Sequence, residues 1–115
     1  MKTIYFIDDE EDLCEVIREC LDVSGSKIIT FTKLKDALEA AKRNPPDLIF
    51  IDKHLGSENS LNRLEEFPLF SRIILCTGSI EEIKNRRVSK VVLKPYDLDL
   101  LRYEIYQIMD QSLAA

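Results

Sequence analysis

The sequence predicts an α/β fold: a mainly parallel sheet with helices on both faces. Two observations carry this expectation. Five short runs of β-branched, aromatic and aliphatic residues alternate with segments whose apolar residues recur at helical spacing. The runs are apolar at consecutive positions, as strands covered on both faces must be. Alternation of this kind calls for right-handed crossovers, so the pattern reads (βα)₅ in one domain over residues 1–115.

Thr3-Ile4-Tyr5-Phe6-Ile7 is the first strand. From Glu10 to Val23, Leu13, Val16, Ile17, Cys20 and Leu21 draw one helical stripe, which Ser24-Gly25-Ser26 ends. Ile28 to Phe31 is the second strand. Thr32 is placed to cap a second helix with Leu34, Ala37, Leu38 and Ala41 on one face. Asn44-Pro45-Pro46 breaks that helix, and Leu48 to Ile51 is the third strand. A polar loop from Lys53 to Ser60 leads to a short helical stretch, Leu61 to Phe67, stopped by Pro68. Ile73 to Cys76 is the fourth strand. Ser79-Ile80-Glu81-Glu82 has capping-box spacing and predicts a brief fourth helix. Val91-Val92-Leu93 is the fifth strand, and Asp97 caps a last helix carrying Leu98, Leu101, Ile105 and Ile108.

Composition excludes several classes. At 45% apolar and 32% charged, the chain is neither disordered nor fibrous. No apolar run approaches the ~20 residues of a membrane helix. Acids from residue 8 onward leave no secretory core in MKTIYFIDDE, so the cytoplasm is the expected compartment and no membrane partner is expected. Cys14, Cys20 and Cys76 show neither a CxxC pair nor metal-ligand spacing, which fits reduced, partly buried thiols. A net charge of −5 with scattered cations argues against direct nucleic-acid binding.

Ligands of open α/β sheets bind beyond the carboxyl ends of the strands. There the sequence places Asp8-Asp9 after the first strand, Asp52 after the third, Thr77-Gly78 after the fourth and Lys94-Pro95 after the fifth. Read singly, each has a plainer explanation. Acids suit a helix start, Asp52 suits a turn, Thr77 suits a loop hydrogen bond, and Lys94 suits the surface. Together they suit one task. Two carboxylates about 4 Å apart repel by roughly 4 kcal/mol at an effective dielectric near 20, so a cluster must protonate, splay or hold a cation. Mg²⁺ matches hard carboxylate oxygens. Asp52 can then act as the nucleophile toward a phosphoryl donor, with Lys94 and the Thr77 hydroxyl stabilising the phosphoryl oxygens. His54, the only histidine, has no nucleophile or ligand spaced around it and reads as a loop residue.

With these residues in this order, the sequence resembles the receiver domains of two-component response regulators over essentially its full length. The matching elements are Asp8-Asp9, Asp52, Thr77-Gly78 and Lys94-Pro95-Tyr96. The resemblance implies a flavodoxin-like three-layer sandwich with strand order 2-1-3-4-5. It also implies phosphotransfer from a sensor histidine kinase or phosphotransfer protein to Asp52, and signalling to an output partner by conformational change. In that scheme Asp9 and Asp52 ligate Mg²⁺ directly, Asp8 acts through water, and the backbone carbonyl of His54 completes the protein ligands. Thr77 and Lys94 contact the phosphoryl group, and the domain assists its own phosphorylation without being a turnover enzyme. His54 lies where the family tunes phosphoryl lifetime.

The departures are specific. Gly56 stands for the usual proline and Ser60 for the usual glycine, the third and fourth helices look shortened, and Val91 occupies the position of an aromatic switch residue. An alternative is therefore a degenerate receiver that binds a partner without phosphorylation. A phosphatase of the haloacid dehalogenase type fits less well. It needs Asp-x-Asp after the first strand, whereas this chain has Asp8-Asp9-Glu10 and no room for a cap domain.

Overall fold

A computed structural model describes the backbone of residues 1–21, 23–79 and 81–114, with side chains through Met109. Ile80 of the expected capping box, Asp22 near the expected end of the first helix, and Ala115 lie outside the described residues.

Chain order is β1 (Lys2–Ile7), α1 (Glu11–Cys20), β2 (Ser26–Phe31), α2 (Leu34–Arg43) and β3 (Leu48–Asp52). A two-stranded hairpin, β4 (His54–Leu55) and β5 (Glu58–Asn59), runs into a 3₁₀ helix at Ser60–Glu66. Then come β6 (Arg72–Thr77), β7 (Val88–Leu93) and α3 (Leu98–Ala114). The main sheet is parallel throughout, in the order β2-β1-β3-β6-β7. Counting only its five strands, this is the expected flavodoxin-like 2-1-3-4-5. Among the described residues, no helix is long and apolar enough to cross a membrane.

Strand alternation sorts the core into two layers. Ile4, Phe6, Phe50, Ile74 and Val92 meet Ile17 and Leu21 beside α1 and Leu101, Ile105 and Ile108 of α3 on one face. Tyr5, Ile7, Ile49, Ile51 and Leu75 meet Leu34, Ala37, Leu38 and Ala41 of α2 on the other, with Leu64 and Phe67. β3 lies at the centre, and all its residues are buried. That is why its sequence shows no polar alternation before Asp52. Cys14 and Cys76 are buried free thiols, and Cys20 is exposed.

The caps separate into one success and two corrections. Asp97 Oδ1 accepts the N–H groups of Asp99 (3.0 Å) and Leu100 (3.4 Å), as the sequence predicts. Thr32 does not cap α2, because Lys33 holds the cap position and gives no side-chain bond. α1 stops at Cys20, with the Leu21 N–H bonded to the Ile17 carbonyl (2.9 Å), short of the expected Val23.

The expected third helix forms as the 3₁₀ turns at Ser60–Glu66. The expected fourth helix does not form among the described residues: 81–85 are irregular. Geometry gives the reason. Residues 78–87 must carry the chain from the end of β6 back to the start of β7. At about 3.3 Å per residue, a six-residue strand is ~20 Å long. A ten-residue helix would advance only ~15 Å and leave no residues for turns. Side chains of its described residues hold it instead. Asn85 Nδ2 donates to the Leu61 carbonyl (3.3 Å). Arg87 donates to the carbonyls of Leu64 (2.9 Å), Phe67 (3.2 Å) and Pro68 (2.9 Å) at the end of the 3₁₀ helix.

Arg87 therefore satisfies carbonyls at the C-terminal end of the 3₁₀ helix, the end opposite the Asn59 cap. Arg87→Met should lower unfolding free energy by about 1–3 kcal/mol, measured by urea denaturation, with helix content by circular dichroism unchanged.

Candidate functional site

The register of the sheet decides which residues meet. Ile7 pairs with Ile51, Asp52 with Cys76, and Thr77 with Leu93. The residues at or just past these positions therefore share one edge of the molecule, from β1 through β3 and β6 to β7. Backbone bonds carry the alignment one step beyond the strands. Asp8 N–H bonds to the Phe31 carbonyl (3.0 Å), Lys53 N–H to Cys76 (2.9 Å), and Lys94 N–H to Thr77 (2.8 Å).

Asp8, Asp9 and Asp52 each offer a carboxylate oxygen, and these atoms lie within 4.8 Å of one another. Asp8 is fully buried, Asp52 nearly so, and Asp9 exposed. Lys94 is the cation that answers them. Its Nζ lies 2.7 Å from Asp52 Oδ2 and 3.2 Å from Asp8 Oδ2. Burial pulls the ammonium pKa down. The hydrogen bond to Asp52 and the charges of Asp8 and Asp52 outweigh that, so the group is held above its ordinary range. One positive charge against three negative ones leaves a net negative site made of hard oxygens. That donor chemistry suits Mg²⁺, Ca²⁺ or Mn²⁺.

The acids are held separately. Asp8 Oδ1 accepts the Glu10 N–H (2.9 Å), and Asp8 Oδ2 accepts the Tyr96 hydroxyl (2.8 Å). Asp8 is thus saturated by protein donors. Among the described residues, Asp52 Oδ1 accepts only a long bond from the His54 N–H (3.3 Å), and Asp9 Oδ2 accepts the Gly56 N–H (3.0 Å). Thr77 is buried, and its hydroxyl oxygen accepts the Ser79 N–H (3.2 Å), leaving its own proton free to donate. The expected site residues Asp8, Asp9, Asp52, Thr77 and Lys94 all arrive at one place. His54, two residues after Asp52, is exposed and touches it through its backbone N–H.

Four contributors escaped the sequence reading. Tyr96 stands in the Lys-Pro-Tyr element, but nothing there foretold that its hydroxyl would reach Asp8 across 88 residues. Its ring packs edge-on against Phe6 at 5.3 Å, with the Lys94 ammonium 5.4 Å from its centroid. Gly56, at φ 62°, turns the β4–β5 hairpin and gives Asp9 an N–H, which the usual proline has none of. Ser60 is buried and donates to the carbonyls of Asp52 (2.8 Å) and Lys53 (3.1 Å). Lys53, expected in a polar loop, is instead buried and bonds to Glu81 Oε1 (2.7 Å). Its charge holds the Glu81 carboxyl below the usual range.

The family model for the response regulator receiver domain matches residues 4–106. The alkaline phosphatase synthesis transcriptional regulatory protein PhoP of Bacillus subtilis is 31% identical over 84 residues. That match covers 70% of this chain but only 35% of the relative. The alginate biosynthesis regulators AlgB of Pseudomonas are 28% identical and are covered over 17% of their length. Among solved structures, a CheY-like receiver domain from Methylobacillus flagellatus superposes with TM-score 0.81 at 20% identity, covering 94% of this chain and 98% of that one. A response regulator from Burkholderia pseudomallei, described with a phosphorylated aspartic acid, a calcium ion and citrate, gives 0.74 at 21%, covering 88% and 64%. A response regulator solved in complex with the histidine kinase ThkA gives 0.78 at 24%, covering 93% and 97%.

Burial beneath the site also sets an alkaline limit. The Cys76 thiol is pushed up to about 12 from an ordinary 9.0, chiefly by burial. Tyr96 is raised in the same direction by burial, then by the charges of Cys76 and Asp8. The folded state therefore holds these protons more tightly than the unfolded chain. Their stabilisation is intact below the unfolded values and is lost as pH rises through the folded ones. Urea midpoints should fall as pH rises from 9 toward 12. Cys76→Ala should lower stability overall and make that fall shallower without abolishing it, because burial raises the Cys14 thiol in the same direction.

Proposed function

The chain belongs to the response regulator receiver domain family, and on that premise we propose that Asp52 accepts a phosphoryl group from a histidine kinase in a Mg²⁺-dependent reaction. The observation that carries the proposal is the convergence of Asp8, Asp9 and Asp52 within 4.8 Å, with Lys94 2.7 Å from Asp52. In two-component systems the donor is a phosphohistidine. The response regulator bound to a histidine kinase, a fold neighbour of this chain, supports that donor class. The phosphorylated, calcium-bound neighbour supports aspartyl phosphate beside a divalent ion on the same fold.

Asp9 and Asp52 would hold the ion directly, the His54 carbonyl would complete the protein ligands, and Asp8 would act through water. Occupancy supports that division, which is the family's: Asp8 meets donors from Glu10, Tyr96 and Lys94, Asp52 from Lys94 and His54, and Asp9 from Gly56. A bound divalent ion supplies charge neutralisation for the phosphoryl oxygens. An Asp52 oxygen attacks phosphorus, the bond to the donor nitrogen breaks, and the electron pair leaves on the imidazole. Lys94 passes from Asp52 to a phosphoryl oxygen, and Thr77 donates its free hydroxyl proton to another. The added charge is the signal. The chain is a phosphoacceptor, not a turnover enzyme. Its place of action is the cytoplasm, and its output goes through an unidentified protein or domain.

One observation favours a second reading. Residues 81–85 form no helix, and Val91 and Leu93 stand exposed on β7. A module that binds a partner regardless of phosphorylation would tolerate such a change. Partner binding that is equal in wild type, phosphorylated protein and Asp52→Asn would favour that module.

Incubation with Mg²⁺ and acetyl phosphate, followed by intact-mass analysis, tests the main reading. Wild type should gain one phosphoryl group and Asp52→Asn none. Lys94→Met should take it up about 100-fold more slowly, the effect of removing one preorganised charge from a transition state. An adduct that survives Asp52→Asn contradicts the assignment.

A further inference from the structure

We propose that the Lys53–Glu81 ion pair is a latch that holds the segment after Thr77 at the mouth of the site and so sets the lifetime of phosphoryl-Asp52. The proposal rests on the phosphoacceptor reading and adds the residues that regulate it.

Lys53 is no ordinary surface lysine. Its side chain is only 9% exposed, and its ammonium meets Glu81 Oε1 at 2.7 Å, while Glu81 is 59% exposed. A buried ammonium is costly unless a carboxylate answers it, so the pair is tied to the local structure rather than free to drift. Lys53 directly follows Asp52, and its backbone is fixed on both sides. The N–H bonds to the Cys76 carbonyl (2.9 Å), and the carbonyl accepts from the Ser60 N–H (2.8 Å) and hydroxyl (3.1 Å). Movement of Lys53 therefore moves Asp52.

The other end of the pair leads back to the same site. Glu81 N–H donates to Ser79 Oγ (3.4 Å), and Ser79 N–H donates to Thr77 Oγ1 (3.2 Å). Lys53, Glu81, Ser79, Thr77 and Cys76 thus form a closed ring of covalent, ionic and hydrogen-bonded links, and Asp52 is joined to it through its peptide bond to Lys53. In an ordinary (βα)₅ crossover, a helix would seat this segment by packing. Here 81–85 have no helix, so single side-chain bonds carry that load.

Hydrolysis needs access. A water oxygen attacks phosphorus from the side opposite the Asp52 oxygen, and the Asp52–phosphorus bond breaks. Carboxylate and inorganic phosphate are left, and the water proton passes to solvent. That approach comes from the solvent side of the strand ends. There exposed His54 flanks β3 and the Ser79 turn flanks β6. The ion pair joins these two rims. Without it the segment swings outward, water enters, and Thr77 loses its fixed orientation.

The test follows loss of the phosphoryl adduct after the donor is removed, in wild type, Lys53→Met, Glu81→Gln and the double variant. Glu81→Gln changes a surface side chain and leaves the Lys53 ammonium without its carboxylate, whereas Lys53→Met replaces that ammonium with an apolar group. Melting temperatures and circular dichroism monitor the fold of both. Each single variant should lose its phosphoryl group about fivefold faster, the size expected for one partly buried ion pair, and the double variant no faster than either. A pair that is merely structural would lower the melting temperature and leave the lifetime alone. Equal decay in all four proteins, or effects that add, overturns the latch while leaving Asp52 as phosphoacceptor. A wild type that takes up no phosphoryl group overturns the phosphoacceptor reading, and the latch with it.

Discussion

Like-charge repulsion at the carboxyl edge of the sheet is the constraint on which this structure turns. A parallel sheet with β1 beside β3 forces Asp8 and Asp52 onto neighbouring strand ends, and Asp9 comes with them. At an effective dielectric near 20, each close pair costs several kcal/mol, about 4 kcal/mol at 4 Å separation. Lys94, brought in from β7, offsets part of this by bridging Asp8 and Asp52. The remaining negative charge suits the site chemically to a divalent cation. Tyr96, Gly56 and Ser60 then fix the acids in place, so the repulsion is borne by a rigid scaffold and is available for binding and chemistry.

A second constraint is chain length. Too few residues link β6 to β7 for a helix plus its turns, so that crossover runs as irregular chain among the described residues. Side-chain bonds from Asn85 and Arg87 to the 3₁₀ helix, and from Lys53 to Glu81, take over the anchoring that apolar packing would otherwise provide. Polar anchors differ from packed helices in a useful way. Each has one discrete broken state, and each responds to charge. A segment anchored so close to Thr77 is placed to feel a change of charge at Asp52, even though Val91 offers no aromatic ring as a lever.

Much of this was legible in the sequence. Strands announced themselves because burial on both faces demands unbroken apolar runs, as in Leu48-Ile49-Phe50-Ile51. The convergence of Asp8, Asp9, Asp52 and Lys94 was legible because these polar residues fall at the ends of those runs, and the sheet aligns strand ends whatever the loops do. The fourth helix misled because Ser79-Ile80-Glu81-Glu82 satisfies a local capping rule, while the distance to be spanned is set by the whole sheet. Thr32 misled for a smaller reason: the helix starts one residue later than its side chain can serve. Tyr96 and Lys53 were opaque because their partners, Asp8 and Glu81, are 88 and 28 residues away, and no local pattern encodes a pairing across that separation.

The central claim is that three acids are crowded enough to require a divalent cation. Calorimetric titration of Mg²⁺ into wild type and Asp9→Asn addresses it without phosphorylation or a partner. The account predicts one ion per chain in wild type and binding at least about tenfold weaker in the variant, which keeps its shape but loses a charged ligand. Absence of saturable binding to wild type, or equal affinity in the two proteins, would contradict it.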